Sequence, residues 1–415
     1  TRGAWNRIYF NTSDSYGDFN NCLIQYGDQS IYAASGTVNV DSTTISDSDD
    51  AVFVHSTVVS GQSVPVVNIS NTTITSSEDP VRYSSVGTVN YSGANDFTGN
   101  DNDAIYINFT STTSDFTLEN APVPYRSSTF SVNSPAKLTV KSSSIWKFFA
   151  NAQLIVNDGA AIEAIADTGA AILFTSIKND NAFGDTNNDG TISAPAKSDW
   201  NGITINGSTR DADNVLRRIE VSFGGSPNNT NPVAGLNLTN SNATVDSSLF
   251  VNNVYGVVLR NSDANFSNNE MGSSQVVPLI LTFDSEPVFT NNDFSSSNNQ
   301  YDAIGLLGTT ITSNSTLPQR DFTSIPNVTY LLLTRLTVDT GVTLTVEPGV
   351  VVKALPSSGI VVRGTLISDA NPDSVTVFTA VTDDNVGNPN DTNKDGNTTV
   401  PTDRAWRGFG FGEDS

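Results

Sequence analysis

Two short acidic segments carry the residue types best suited to chemistry. They are Asp185-Thr186-Asn187-Asn188-Asp189-Gly190 and Asp391-Thr392-Asn393-Lys394-Asp395-Gly396. In a D-x-N-x-D-G run, the oxygens of positions 1, 3 and 5 converge when the backbone turns sharply at a glycine in position 6, which is the first half of a calcium loop of the EF-hand type. The second half departs from that pattern, because position 12 is Ala196 or Thr402 where a bidentate Glu belongs. A closing ligand must come from elsewhere, with Asp180 or Asp199 as candidates in the first segment and Asp383, Asp384 or Asp403 in the second. The expected metal set is therefore Asp180, Asp185, Asn187, Asp189 and Asp199, then Asp383, Asp384, Asp391, Asn393, Asp395 and Asp403, with Ca2+ as cofactor. A polar turn in which Asp, Asn and Gly serve only backbone geometry is the competing explanation.

The elements that must position these loops repeat on two scales. Trp5, Trp200 and Trp406 are separated by 195 and 206 positions, and the 206-residue offset also superposes Leu138 on Leu344, Lys147 on Lys353, Asp185 on Asp391 and Asp189 on Asp395. The chain is thus about two copies of a unit near 200 residues, with boundaries expected at 1–199 and 200–415 in one continuous solenoid. A shorter period of 21 to 23 residues recurs, as LNLTNSNATVDSSLF from Leu236 aligns on VVLRNSDANFSNNEM from Val257, and similar units occur in the first half, as VNVDSTTIS at Val38, VNISNTTIT at Val67 and VNYSGANDF at Val89. Each short unit holds two or three period-2 runs of Val, Ile, Leu, Phe or Thr between turns rich in Asn, Asp, Ser and Gly. Such a unit cannot bury its own apolar face, and stacked copies do, so a parallel β-helix is expected. The Asn252-Asn253, Asn268-Asn269 and Asn291-Asn292 pairs suit left-handed turn positions with side chains bonding along the stack. GAAIEAIADTGAAILF (Gly159 to Phe174) has helical composition but aligns with the strand-like RGTLISDANPDSVTVF, so it is expected as strands.

A family resemblance follows from these residues. LTVEPGVVVKALPSSGIVVRGTLISDANPDSVTVFTAVTDD (Leu344 to Asp384), then DTNKDG and RAWRGFGF, resembles the right-handed parallel β-helix repeat module of large secreted bacterial surface or adhesin-like proteins. The first copy is a degenerate version, lacking the EPG turn and with Lys141 in place of Glu347. The resemblance implies an all-β, right-handed parallel β-helix of about 22-residue rungs in two tandem units, at the cell surface or outside the cell. It leaves function open, since this fold hosts lyases, hydrolases, phage spikes, adhesins and filaments.

Composition narrows the choice. With 20 basic against 43 acidic side chains and a net charge of −23, the chain would repel nucleic acid and anionic lipid. One Cys and one His exclude an intrachain disulfide and Cys- or His-based zinc sites. No apolar run reaches membrane-spanning length and no leader-like segment stands at the N-terminus. A start at Thr1 and the same repeat position at both ends point to a window on a longer array, with neighbouring copies stacking end to end.

Other chemistry-bearing residues have structural expectations. Each repeated Trp should pack its loop back onto the helix rather than form a sugar-stacking platform; Tyr26, Phe223 and Cys22 should be core, and His55 a satisfied strand or turn residue. A polysaccharide lyase or glycoside hydrolase would need a basic residue, or carboxylates on adjacent rungs in a cleft, that break the repeat once. Arg217-Arg218, Asp49-Asp50 and Asp383-Asp384 are the candidates, and a non-enzymatic role is expected. Sequons at Asn68, Asn71, Asn108, Asn206, Asn237 and Asn327 mark glycosylation only in a source able to perform it, and the paired Thr residues do not extend into an array for ice or mineral. The expectation is a calcium-stabilised stalk, filament or adhesin segment, with cell-surface or environmental glycans as further ligands; a carbohydrate-active enzyme or a glycan-binding module is the alternative.

Overall fold

Period-2 runs punctuated by Asn, Ser and Gly become strands of two to seven residues, and stacking is what satisfies their backbone. The structure, a computed structural model, describes residues 1–56, 63–294, 298–396 and 398–412. Strand makes up 42% of it and helix 1%, the latter a single 3-10 turn at Asp211–Asp213 among the described residues. The named strand pairings are parallel throughout, the arrangement of a parallel β-helix. Two compact units divide the chain: Thr1–Trp200 with Asp213–Glu220, and Asn201–Ala212 with Val221–Ser415.

In the first unit, eight strands from Trp5–Phe10 to Ile172–Ser176 pair one after another. Beside them the first rungs carry the rows Tyr16–Asn20, Thr37–Asp41, Val66–Ser70, Thr88–Ser92 and Leu23–Gln25, Thr44–Ser46, Thr73–Thr75. Val38, Val67 and Val89 are register partners, as the repeat requires. Later rungs replace these rows with Phe116–Leu118, Lys137–Val140, Ala161–Ile165 and Val215–Arg217. The Ala-rich segment forms strands Ala161–Ile165 and Ile172–Ser176. Inward Ile162, Ala164, Leu138 and Val140 are at most 1% exposed, each large side chain adding about 1.5–3 kcal/mol of burial.

In the second unit, eight strands from Ile203–Asn206 to Val377–Ala380 pair in the same way. Leu236 faces Val257 and Val257 faces Leu279, steps of 21 and 22 residues. Asn252, Asn268 and Asn291 have φ of 57°, 55° and 52°, the left-handed region that Asn tolerates. Their neighbours turn inward: Asn253 donates to Val221 O at 2.8 Å, Asn269 to Val245 O at 2.9 Å and Asn292 to Phe266 O at 2.9 Å. These side chains add a bond from each turn to a strand carbonyl of the preceding rung.

The rung length is less uniform than the 21 to 23 residues expected. Val52 pairs with Val81, 29 residues on, and Trp146 with Phe174, 28 on. Both pairings keep the strand register intact, and added length between strands costs little because loop-closure entropy grows slowly with length. No helix among the described residues is long and apolar enough to cross a membrane.

Candidate metal centre

The two acidic loops adopt the same local geometry, each within its own unit. In the first, Asp185 accepts from the backbone of Asp189 at 3.2 Å and of Gly190 at 2.7 Å; in the second, Asp391 accepts from Asp395 at 3.0 Å and Gly396 at 2.9 Å. Gly190 and Gly396 have φ of 71° and 65°, and open space surrounds both Cα atoms, so backbone conformation rather than crowding favours glycine. Asn187 donates to Asp189 at 2.8 Å and Asn393 to Asp395 at 2.9 Å. Ser193 and Thr399 donate their hydroxyls to the same Asp189 and Asp395 carboxylates.

Each loop gathers three carboxylates. Asp180, Asp185 and Asp189 offer oxygens within 4.8 Å of one another, as do Asp384, Asp391 and Asp395. Among the expected closing residues the structure brings in Asp180 and Asp384 and leaves the others apart. Asp199 bonds Ser176 and Lys178, Asp383 bonds Thr379 and Asn385, and Asp403 lies exposed. Hydrogen bonds from Ser193 and Thr399 hold Asp189 and Asp395 below the usual carboxylate range. Asp180 is pushed up by burial and then by Asp185, and Asp384 by burial and then by Asp391 and Asp395.

Beneath each loop lies a lysine with no exposed surface. Lys147 donates to Asn179 O and Gly184 O at 3.0 Å each and to Thr186 Oγ1 at 2.8 Å, while Lys353 donates to Asn390 O at 2.5 Å. Burial pushes the Lys147 amine down to about 8 against the opposing pull of Asp180 and Asp185, and lowers Lys353 against Asp384, Asp383 and Asp391. The offset that superposes these lysines is visible in the sequence; their role is not, because only the fold places residue 147 under a loop some 35 residues later.

Whether this donor set suits a hard cation can be judged from hydrogen-bond economy. Asp180 Oδ1 and Asn187 Oδ1 in the first loop, and both Asp384 oxygens with Asn393 Oδ1 in the second, are buried without a hydrogen-bond partner. A buried acceptor left unpaired costs about 1–3 kcal/mol, and all five are oxygens of the kind a calcium ion takes. The residues fit such an ion: Asp180, Asp185, Asn187 and Asp189 would hold it in one loop, Asp384, Asp391, Asn393 and Asp395 in the other.

The repeated Trp residues differ in setting. Trp200 is fully buried and stacks on Phe148 with ring centres 4.3 Å apart and planes at 3°. Trp5 is half-buried and donates its indole N–H to Gln25 O at 2.7 Å, and Trp406, also half-buried, meets Phe409 edge-on at 5.6 Å. Three core expectations need correction. Tyr26 is 42% exposed and Phe223 only half-buried, because both occupy left-handed turns, φ 65° and 64°, that swing the side chain off the inward row. Cys22, directly after the left-handed Asn21, is half-exposed rather than core. His55 follows strand Asp50–Val54 and its Nδ1 lies 3.1 Å from Ser84 Oγ, a satisfied position. Asn237 is 3% exposed and bonded to Ile203 O and Ala234 O, which closes its sequon in the folded chain.

Fold and site together define a parallel β-helix with a duplicated lysine-backed acidic loop. No family model, curated protein or solved structure matches the chain.

Proposed function

We propose that the chain is a non-catalytic structural segment, a stalk, filament or adhesin shaft, of a secreted bacterial surface protein, and that its two acidic loops bind calcium. The observation that carries this is the recurrence, in both units, of unpartnered buried oxygens at the centre of an Asp triad. A divalent ion there would relieve the repulsion among three carboxylates and fix the longest loops to the stacked strands. Composition and the module resemblance support the extracellular setting. End-to-end contacts with further copies and attachment to glycans belong to the same proposal.

The enzymatic alternative draws less support. Asp50 and Asp79 on adjacent strands are 5% and 0% exposed, and Asp79 is spent on Arg82 and Arg126. A glycan platform fares similarly: Tyr32 and Phe53 stack on each other at 5.0 Å, and Phe53 on His55 at 6.2 Å, so these rings use their faces on one another.

Thermal unfolding with and without a chelator tests the calcium reading. An affinity in the range of extracellular modules, roughly 0.1–1 mM, gives about 2.7 kcal/mol per site at a hundredfold excess of ion over Kd. The midpoint should rise with calcium and fall on chelation. An unchanged midpoint, with no heat of calcium binding by titration calorimetry, would remove the metal from the proposal.

A further inference from the structure

A second polar cluster lies in the first unit, away from the acidic loops. Asp50 and Asp79 open strands Asp50–Val54 and Asp79–Tyr83 as register partners. Arg82, Tyr106 and Arg126 are register partners on three successive strands, and both guanidiniums lie against the Tyr106 ring, at 5.3 and 4.7 Å. Asp79 takes most of the available donors: Arg82 reaches its Oδ2 through Nε at 3.2 Å and Nη2 at 2.7 Å, and Arg126 reaches its Oδ1.

Asp50 is served differently. Arg82 Nε lies 2.8 Å from its Oδ1, yet the N–H points elsewhere and that oxygen, fully buried, accepts no hydrogen bond. On the adjacent strand Gly27–Ala33, Gln29 is the register partner of Asp50, and its Oε1 is likewise buried without a donor. A carboxylate and an amide oxygen both only accept, so neither can satisfy the other. A carboxylic acid carries the missing O–H.

We propose that Asp50 is a proton-operated clasp between strands Gly27–Ala33 and Asp50–Val54: protonated, it donates to Gln29 Oε1 and closes the seam; ionised, it leaves two buried acceptors side by side. Burial tips the balance between nearby charges that divide: Arg82 favours the ionised form, while Asp79, Glu78 and Asp28 favour the proton. Asp28 and Gln29 face the group from one side, and Glu78, Asp79 and Arg82 from the other, with Glu78 also drawing on Arg82 at 3.2 Å. Burial, ahead of the attraction of Arg82, pushes the Asp50 carboxyl from 3.8 up to about 7. The folded chain thus keeps a proton that the unfolded chain has already lost, so the stabilisation is complete below about pH 4 and is lost as pH rises towards 7. The segment would stiffen in mildly acidic surroundings.

Carboxyl-carbon NMR of the full chain and site-resolved hydrogen exchange at pH 5 and pH 8 test this. Asp50 should titrate near neutrality, and amides of Gly27–Ala33 and Asp50–Val54, corrected for intrinsic rates, should lose protection about tenfold or more at pH 8. Asp50→Asn, whose amide donates at any pH, should abolish that difference. Gln29→Leu, which removes the acceptor, should lower the Asp50 titration midpoint by about one unit, a tenfold change in its proton affinity. An Asp50 titrating below pH 5, or an Asp50→Asn chain that keeps the wild-type pH difference, overturns the proposal, and the first measurement needs no variant to fold.

Discussion

The buried lysine beneath each acidic loop supplies a positive pole where no solvent reaches. Lys147 gathers two backbone carbonyls and a threonine hydroxyl, so it orders the loop from below while the carboxylates order it from above. Replacing it with Met would take the donor from Gly184 O and Thr186 Oγ1 and leave Asn179 O with the Ala182 N–H alone, at about 1–3 kcal/mol for each buried group left unpaired. It would also remove a like charge facing a bound cation. The two effects carry opposite signs: Lys147→Met should lower stability in chelator, measured by urea unfolding, and tighten calcium binding, measured by calorimetry. Asn393→Leu offers the complementary case, since it deletes an unpartnered Oδ1 and should weaken calcium binding in the second loop while sparing the first.

Strand rows and their turns decide how the rungs hold together. Asn269 joins three of them at once: it donates to Val245 O at 2.9 Å, accepts from Ser248 N at 2.9 Å and donates to Asn292 at 3.0 Å. Asn269→Leu would remove the side-chain acceptor of the buried Ser248 N–H together with the bonds to Val245 O and Asn292, a loss of about 1–3 kcal/mol, visible as accelerated exchange in strands Thr244–Asp246 and Asn265–Ser267. Phe148→Ala would remove the surface on which Trp200 lies and should cost about 3–5 kcal/mol, read as a lowered unfolding midpoint with a red-shifted Trp emission. The second copy has Ala354 at the position equivalent to Phe148, and its Trp406 is only half-buried. The same tryptophan in the repeat is therefore a fully buried anchor in one unit and a partly exposed one in the other.

At the scale of the molecule, a net charge of −23 opposes compaction everywhere, and monovalent salt should raise the unfolding midpoint by screening it. Calcium should act at far lower concentration than sodium, because it would act at two places where three carboxylates meet. Equal midpoints in calcium and in sodium at matched ionic strength would reduce the effect to screening. Repeat architecture adds a further expectation: each rung rests chiefly on its neighbours, so unfolding need not be one cooperative step.

Much of this was readable from the amino acids alone. Register follows from period-2 runs that bury alternate residues, so the 21-residue step from Leu236 to Val257 and the row Val38, Val67, Val89 were visible before any coordinates. The D-x-N-x-D-G loops and the lysine offset were legible for the same reason, since repetition writes local geometry twice. Tertiary structure decided which partners meet across rungs of unequal length. A 29-residue rung places Asp79 against Asp50, and Arg126 then reaches back to Asp79 across two further strands. It also chose Asp180 and Asp384 over Asp199, Asp383 and Asp403, and turned Tyr26 and Phe223 outward. Spacing in sequence sets what can repeat; loop length and the sign of φ at single turn residues set what faces what.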